Sequence, residues 1–496
     1  MYANEPKVVD ATVELPVTFV PALFLQRRAW VFRIMRRERI TQVLDAGCGE
    51  GEAVACLCNP APWLPLRATA FPTLTSETED GQSVVLQPDP ATVHEEGSID
   101  DKDDYLHIRT LHALDISLND LNEAIPLVAP SPPPTAEPTH WPEAIRWEPL
   151  EAKVWHGGME AYNPEFVGLE CIIFMEVIEH LPEDVLMDVA PMLLGLYHPR
   201  LLLITTPSYT FNSRFTAPDA PPSARRGIPD PTGRTDRIFR HWDHKFEWTV
   251  EEFSAWCEEA AAHWGYEVEV SSVGSAIEPD PWGREEQLGQ ASQVAAFRRL
   301  EGENLAEMRE RKCAEDGILD RARTKKTQTL LASYRHEQSR RRQATGTLGE
   351  IGQLVQQKME KYKEPRMTVH ELWCEQDICW LCGGWLQNLV AAIKTTDGLS
   401  LQKVDGSSMN DWAVHLDNFK DEQLVVEVSH EAEDVSPPAS SAPWTPSDVG
   451  DSEVWSSQDV DKNGWGVWGD TWGDSEPSHW DVESGPGAVT TIATVA

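Results

Sequence analysis

Between residues 143 and 300, strand-sized apolar runs alternate with helical stretches, and this alternation limits what the chain can fold into more than any other feature. The predicted strands are Ala152–Trp155, Glu170–Phe174, Arg200–Thr205, Tyr266–Ser271 and Gln293–Arg298; the predicted helices are Asp184–Leu196 and Val250–Trp264. Strands separated by helices build an α/β sheet that presents ligand sites at its carboxyl ends. The last two strands, joined by a short return, are expected to form an antiparallel edge.

One more strand, Thr41–Leu44, lies upstream and runs into Asp45-Ala46-Gly47-Cys48-Gly49-Glu50-Gly51. Glycines after a strand permit positive φ and close approach of a ligand to the backbone. A helix starting there would aim its amides at an anion or carboxylate. Such a turn is common, but the leading acid Asp45 favours an S-adenosylmethionine site, where a carboxylate can meet the methionyl ammonium. A second acid, Asp115, closes a strand at Leu114-Asp115-Ile116, the place of an acid that accepts ribose hydroxyls. It comes 70 residues after Asp45, and without the 52 residues 59–110 the separation falls to 18, close to the usual spacing of about twenty. Residues 59–110 therefore read as an insertion. A second insertion covers about 128–142, where Ser131-Pro-Pro-Pro-Thr-Ala-Glu-Pro excludes helix and central strand.

The run Phe174-Met175-Glu176-Val177-Ile178-Glu179-His180-Leu181-Pro182 follows an apolar strand, so it belongs at the carboxyl edge of the sheet. In one helical turn Glu176, Glu179 and His180 would share a face. Two carboxylates and an imidazole suit Mg²⁺ or Mn²⁺; a helix start favoured by acids is the plainer alternative. The second run is Phe239-Arg240-His241-Trp242-Asp243-His244-Lys245-Phe246-Glu247-Trp248-Thr249, with Thr249 and Glu252 as a capping box for the next helix. His244 could supply a fourth ligand while His241 faces the substrate, or the two could exchange roles.

Together these runs resemble the Hen-type small-RNA 2′-O-methyltransferases, from about Phe19 to Arg298. Asp45-x-Gly-Cys-Gly-Glu-Gly, Glu176-Val-Ile-Glu-His-Leu, Thr206-Pro207 and Asp243-His-Lys-Phe-Glu-Trp occur in the family's order. The resemblance implies a class I S-adenosylmethionine-dependent methyltransferase fold, an α/β Rossmann-like and mostly parallel sheet. It implies Glu176, Glu179, His180 and His244 as metal ligands and catalytic groups, with His241 beside them. It implies cofactor contacts at Asp45, Gly47, Gly49, Asp115 and Gly158. Relatives commonly carry serine at the position of Gly158, and the family's Thr-Pro-Asn reads Thr206-Pro207-Ser208 here. The implied reaction is methyl transfer to the 2′-hydroxyl at the 3′ end of a small RNA, which protects such RNAs in gene silencing. A class I methyltransferase acting on a small molecule or protein, or a catalytically idle adaptor, would share parts of the pattern.

Charge qualifies this reading. With 42 basic and 81 acidic residues, net −39, the chain cannot coat nucleic acid through long-range attraction. A local site must hold RNA, and two arginine clusters are candidates: Arg27, Arg28, Arg33, Arg36, Arg37 and Arg39, and Arg214, Arg225, Arg226, Arg234, Arg237 and Arg240. A solvated basic face balancing nearby acids is the alternative. The nine cysteines have no regular spacing and no apolar run reaches membrane length, so a reducing, cytoplasmic setting is expected, with the nucleus as alternative, and no membrane partner.

Beyond the methyltransferase domain, 15–300, the chain reads as a charged helical linker, 301–366, a small helical module, 367–430, and an acidic disordered tail, 431–496. In the module, His370, Cys374, Cys379 and Cys382 read as part of an amphipathic helix rather than a zinc site. The tail carries six of the chain's twenty tryptophans, among them Trp465, Trp468 and Trp472 in Gly-Trp and Trp-Gly context. A disordered segment cannot bury these indoles itself, which makes them anchors for a partner's pockets. They look like the hooks that bind Argonaute proteins.

Overall fold

The computed structural model describes residues 14–65, 105–130, 144–221, 224–343, 345–403, 408–417 and 419, and the backbone of a strand pair, Leu74–Glu77 with Ser83–Leu86. The tail tryptophans and most of both insertions lie outside the described residues. None of the described helices is long and apolar enough to cross a membrane.

The main sheet contains β1 (Gln42–Ala46), β2 (Thr110–Asp115), β3 (Leu150–His156), β4 (Cys171–Met175), β5 (Leu201–Pro207), β6 (Tyr266–Val273), β7 (Ser292–Arg299) and β8 (Thr329–His336). Their spatial order is β6-β7-β5-β4-β1-β2-β3-β8. β1 to β5 pair in parallel, whereas β7 runs antiparallel to β5 and β6 to β7, the edge expected from the sequence. From β1 the chain moves outward through β2 and β3, then returns to place β4 on the other side of β1. Order reverses there, and the crevice beyond the carboxyl ends of β1 and β4 is where such sheets bind ligands. The fold is that of a class I S-adenosylmethionine-dependent methyltransferase.

Alternation along the strands divides the core into two layers. Ile172, Phe174, Ile204 and Phe297 face one side, against Phe253, Cys257 and Trp264 of the helix Val250–Trp264. Val43, Ile173, Leu203 and Val154 face the other, against Trp30, Val31, Ile34 and Met35 of α1 (Leu23–Arg37) and Val54 and Leu57 of α2 (Glu52–Cys58). The Val250–Trp264 helix starts with the expected capping box: Glu252 N–H donates to Thr249 Oγ1 and Thr249 N–H to the Glu252 carboxylate.

The stretch 301–366 departs from the linker expected of it. After helices Glu303–Glu315 and Ile318–Thr324 it contributes β8, which pairs antiparallel with β3 from Thr329 opposite His156 to His336 opposite Leu150. An edge strand is paired on one side only; β8 packs just Ala332 and Tyr334 against the core and leaves Leu330 and Leu331 exposed, so its apolar residues follow no alternation to recognise.

The following module also differs from an all-helical one. It begins with Leu348–Tyr362 and adds Val369–Trp373, Gln376–Leu381, Leu386–Thr395 and a three-stranded sheet made of Arg366–Thr368, Leu399–Gln402 and Ala413–Leu416. Its core of Ile351, Val355, Leu372, Ile378, Leu389 and Ile393 takes in Trp63, Leu64 and Trp147 from the methyltransferase half, with Cys379 and Cys382 buried among them. Trp147 and Trp373 each donate an indole N–H to the Pro62 carbonyl at 2.9 Å, and Trp63 meets Tyr105 edge to face. Trp147→Ala would empty the joint at its centre and should cost about 3–5 kcal/mol. Thermal unfolding would measure that loss, and limited proteolysis should show the module released first.

Candidate active site

The glycine turn sits at the carboxyl end of β1. Gly47, Gly49 and Gly51 have φ of 86°, 51° and 88°. A Cβ on Gly47 would fall 2.3 Å from Val177 Cγ2, so the turn closes directly on the loop after β4. Gly47 and Cys48 N–H both donate to the Leu114 carbonyl, which ties the turn to the end of β2. There Asp115 accepts from Gly49 N–H at 2.9 Å and from Ser117 N–H at 2.8 Å. The inserted residues therefore leave the two acids in the relation that their reduced spacing predicts. Gly158 follows β3, and its carbonyl accepts from Gln328 Nε2; a side chain there would run into the Glu160 carboxylate.

Asp45 is buried, and its Oδ2 has no hydrogen-bond partner among the described residues. Burial, followed by the charge of Asp115, pushes its carboxyl up to about 7, against a pull downward from Arg28. A carboxylate placed there is a counter-charge waiting for a cation.

The loop after β4 is more contorted than its spacing suggests. Glu176 takes φ 56° and stands outside the short 3₁₀ turn Ile178–His180, so the shared helical face expected of Glu176, Glu179 and His180 does not form. Its carboxylate accepts from Thr205 Oγ1 at 2.7 Å and pairs with Arg27 at 2.9 Å. Glu179 is buried; Oε2 accepts from Thr206 Oγ1 at 3.0 Å and Oε1 has no partner among the described residues. Burial first, then Glu176, raises the Glu179 carboxyl well above the carboxylate range.

The loop 239–249 folds over this turn, anchored where Lys245 N–H donates to the Glu179 carbonyl. It brings both of its histidines to His180: a ligand-capable atom from each of His180, His241 and His244 lies within 4.8 Å of the others. The sequence left His241 and His244 as alternatives, and the structure gathers both. Glu176 and Glu179, expected in the same set, stand outside this three-residue cluster. Burial and the neighbouring His244 lower the pKa of His180 and of His241.

Second partners separate the three rings. His244 Nδ1 lies 2.7 Å from Glu247 Oε1, and His180 Nδ1 3.2 Å from Asp243 Oδ2. A carboxylate only accepts, so each Nδ1 carries a proton, and in the neutral ring Nε2 keeps its lone pair, as in carboxylate–histidine–metal arrangements. His241 Nδ1 instead accepts from Asp243 N–H at 3.2 Å, so its neutral ring carries the proton at Nε2. With the unpartnered buried oxygen of Glu179 on the adjoining loop, the donors fit a divalent cation that takes nitrogen and oxygen. Sequence reasoning missed Asp243, Glu247, Thr205, Thr206 and Arg27 as supports; the charged run around His244 was the available signal for the first two.

The arginine clusters are largely engaged with acids. Arg28 pairs with Glu52, Arg214 with Asp280, Arg234 with Glu183, Arg237 with Glu252 and Arg240 with Glu14. For these residues the balancing role holds rather than an open phosphate-binding face.

Asp45 yields a pH test. Between about pH 4 and pH 7 the unfolded chain has released this proton while the folded chain retains it, so the group withdraws stability as pH rises. Asp45→Asn should unfold at higher temperature than the parent at pH 8, by up to about 4 kcal/mol, with the gap closing below pH 4. The same variant should lose cofactor affinity.

No family model matches the chain. Curated proteins do: the small RNA 2′-O-methyltransferase of Arabidopsis thaliana is 34% identical over 158 residues, 32% of this chain and 16% of that protein. Its namesake in Xenopus tropicalis is 33% identical over 165 residues, 33% of this chain and 38% of that protein. The Drosophila melanogaster protein of the same name is 32% identical over 153 residues, covering 31% and 34%. The matches thus span well under half the length of these relatives. Among solved structures, small RNA methyltransferase HEN1 aligns at 22% identity and TM-score 0.39 with 65% of this chain and 29% of its own; the fold assignment rests on the strand order instead. By sequence, the chain is thus similar, over about a third of its length, to proteins named small RNA 2′-O-methyltransferase.

Proposed function

We propose that the chain transfers the methyl group of S-adenosylmethionine to the 2′-hydroxyl of the 3′-terminal nucleotide of a small RNA, protecting it in gene silencing. The observation that carries this reading is the pair His180 and His244, each with Nδ1 held by a carboxylate, beside buried Glu179 and within one loop of the glycine turn. A ribose hydroxyl is a weak nucleophile at neutral pH and needs activation. A divalent cation, Mg²⁺ or Mn²⁺, held by His180, His244, Glu176 and Glu179 would supply Lewis-acid binding of both terminal hydroxyls and a lowered 2′-hydroxyl pKa.

The chain's own groups do the rest. Asp45 receives the methionyl ammonium, and Asp115, whose oxygens retain acceptor capacity beside two backbone donors, receives the ribose hydroxyls. Gly47 keeps the turn low enough for close approach. Asp243 and Glu247 fix the rings of His180 and His244, and His241 takes the 2′-hydroxyl proton as the O–CH₃ bond forms and the sulfonium S–CH₃ bond breaks, releasing S-adenosylhomocysteine. A terminal nucleotide alone offers two adjacent hydroxyls, which is the source of end specificity. We further propose, from sequence alone, that Trp465, Trp468 and Trp472 dock an Argonaute-type protein.

The test uses purified protein, labelled S-adenosylmethionine, Mg²⁺ or Mn²⁺, and one small RNA ending in ribose or in 2′-deoxyribose. Label should enter the ribose-ended RNA alone and be lost with EDTA. Absence of label from both, with cofactor binding retained, overturns the reading in favour of another substrate or an idle adaptor. Glu179→Ala should abolish transfer while leaving cofactor binding nearly intact, measured by calorimetry.

A further inference from the structure

Trp242 has no role in the site so far described, yet it stands in the middle of it. It lies in the loop that carries His241 and His244, between residues that are well packed: Phe239 is buried in the core and both His244 and Glu247 are buried beneath. Its own side is open, with the residue 67% exposed. Its ring lies tilted by 33° against that of His241, 5.7 Å between centroids, and His241 is in turn 5.1 Å from His244. His180 and His241 are only half-buried, so the histidine cluster reaches solvent. A single exposed ring is ordinary on a protein surface; this one is set apart by lying against a histidine of the cluster.

We infer that Trp242 is the platform on which the base of the terminal nucleotide stacks when its ribose hydroxyls sit at the histidine cluster. This rests on the RNA reading above and names a positioning residue within it. The indole lies 5.7 Å from the His241 ring, close enough for a base resting on it to keep its ribose at the cluster. Every base has a π-face, so such a platform tolerates all four bases while rejecting an end that lacks one. Two features support RNA over a protein partner as the occupant: the position beside the reacting groups, and the single ring, with Val250 the nearest large exposed aliphatic in sequence among the described residues.

The experiment is a two-by-two comparison of wild type and Trp242→Ala, each on a small RNA ending in a normal nucleotide and on the same RNA ending in an abasic ribose. Binding and methyl transfer are both read, and the normal end is varied through all four bases. Stacking predicts that either change alone weakens binding about 5- to 100-fold, that the two losses do not add, and that Trp242→Phe restores most of the affinity on every base. Equal behaviour of wild type and Trp242→Ala on base-bearing RNA overturns the inference, as does a loss of the same size on the abasic RNA, which would mark a merely structural residue. Failure of wild type to bind or methylate any of these RNAs overturns the RNA reading itself, and the platform with it. Capture of a protein partner that is lost in Trp242→Ala, with RNA affinity unchanged, assigns the ring to that partner instead.

Discussion

The missing side chain of Gly47 is the constraint on which the site depends. Its backbone lies where a methyl group would fall inside Val177, so the turn after β1 and the loop after β4 interlock. Because β1 and β4 are the neighbours at which strand order reverses, that contact joins the cofactor side of the crevice to the side bearing Glu176, Glu179 and His180. A substitution at Gly47 would have to push these loops apart or force an L residue into positive φ. The separation of the turn after β1 from the loop after β4 is thus set by backbone packing.

Around that contact, charge is compensated pair by pair. The chain is strongly acidic, and its arginines near the site are mostly committed to particular acids, as Arg27 is to Glu176 and Arg240 to Glu14. The exceptions are informative. Asp45 and Glu179 are buried acids with an oxygen lacking any partner among the described residues, and both have carboxyls pushed upward by burial. Such groups cost stability in the empty protein and lower that cost when a cation arrives. The two flank the crevice, one on each side of the Gly47–Val177 contact, which matches a cationic cofactor group on one side and a metal ion on the other.

Much of this was legible from the residues because it follows from periodicity and chain order. The five parallel strands, the antiparallel edge, the capping box at Thr249 and the placing of Asp115 beside the glycine turn all come from apolar pattern and spacing. What escaped depends on geometry that pattern does not encode. Glu176 breaks the helical spacing by taking positive φ, a choice made by the tight turn and by its bonds to Thr205 and Arg27. His241 and His244 could be ranked only once the partner of each Nδ1 was visible. β8 was hidden because an edge strand needs few apolar residues, and the C-terminal module because its core borrows Trp63 and Trp147 from residues far away in sequence.

The same borrowed tryptophans bear on how the chain tolerates its long first insertion. Trp63 and Tyr105, near the two ends of residues 59–110, meet ring to ring, while Pro62 and Leu64 are bonded to the C-terminal module. The Trp63–Tyr105 pair therefore brings the ends of the intervening segment together. Lengthening a loop so closed is cheap, about 0.6 kcal/mol for each doubling, and the sheet does not register the change. The position is a natural port: evolution can vary that segment, or an experimenter can graft a reporter into it, without moving Asp115 relative to Asp45.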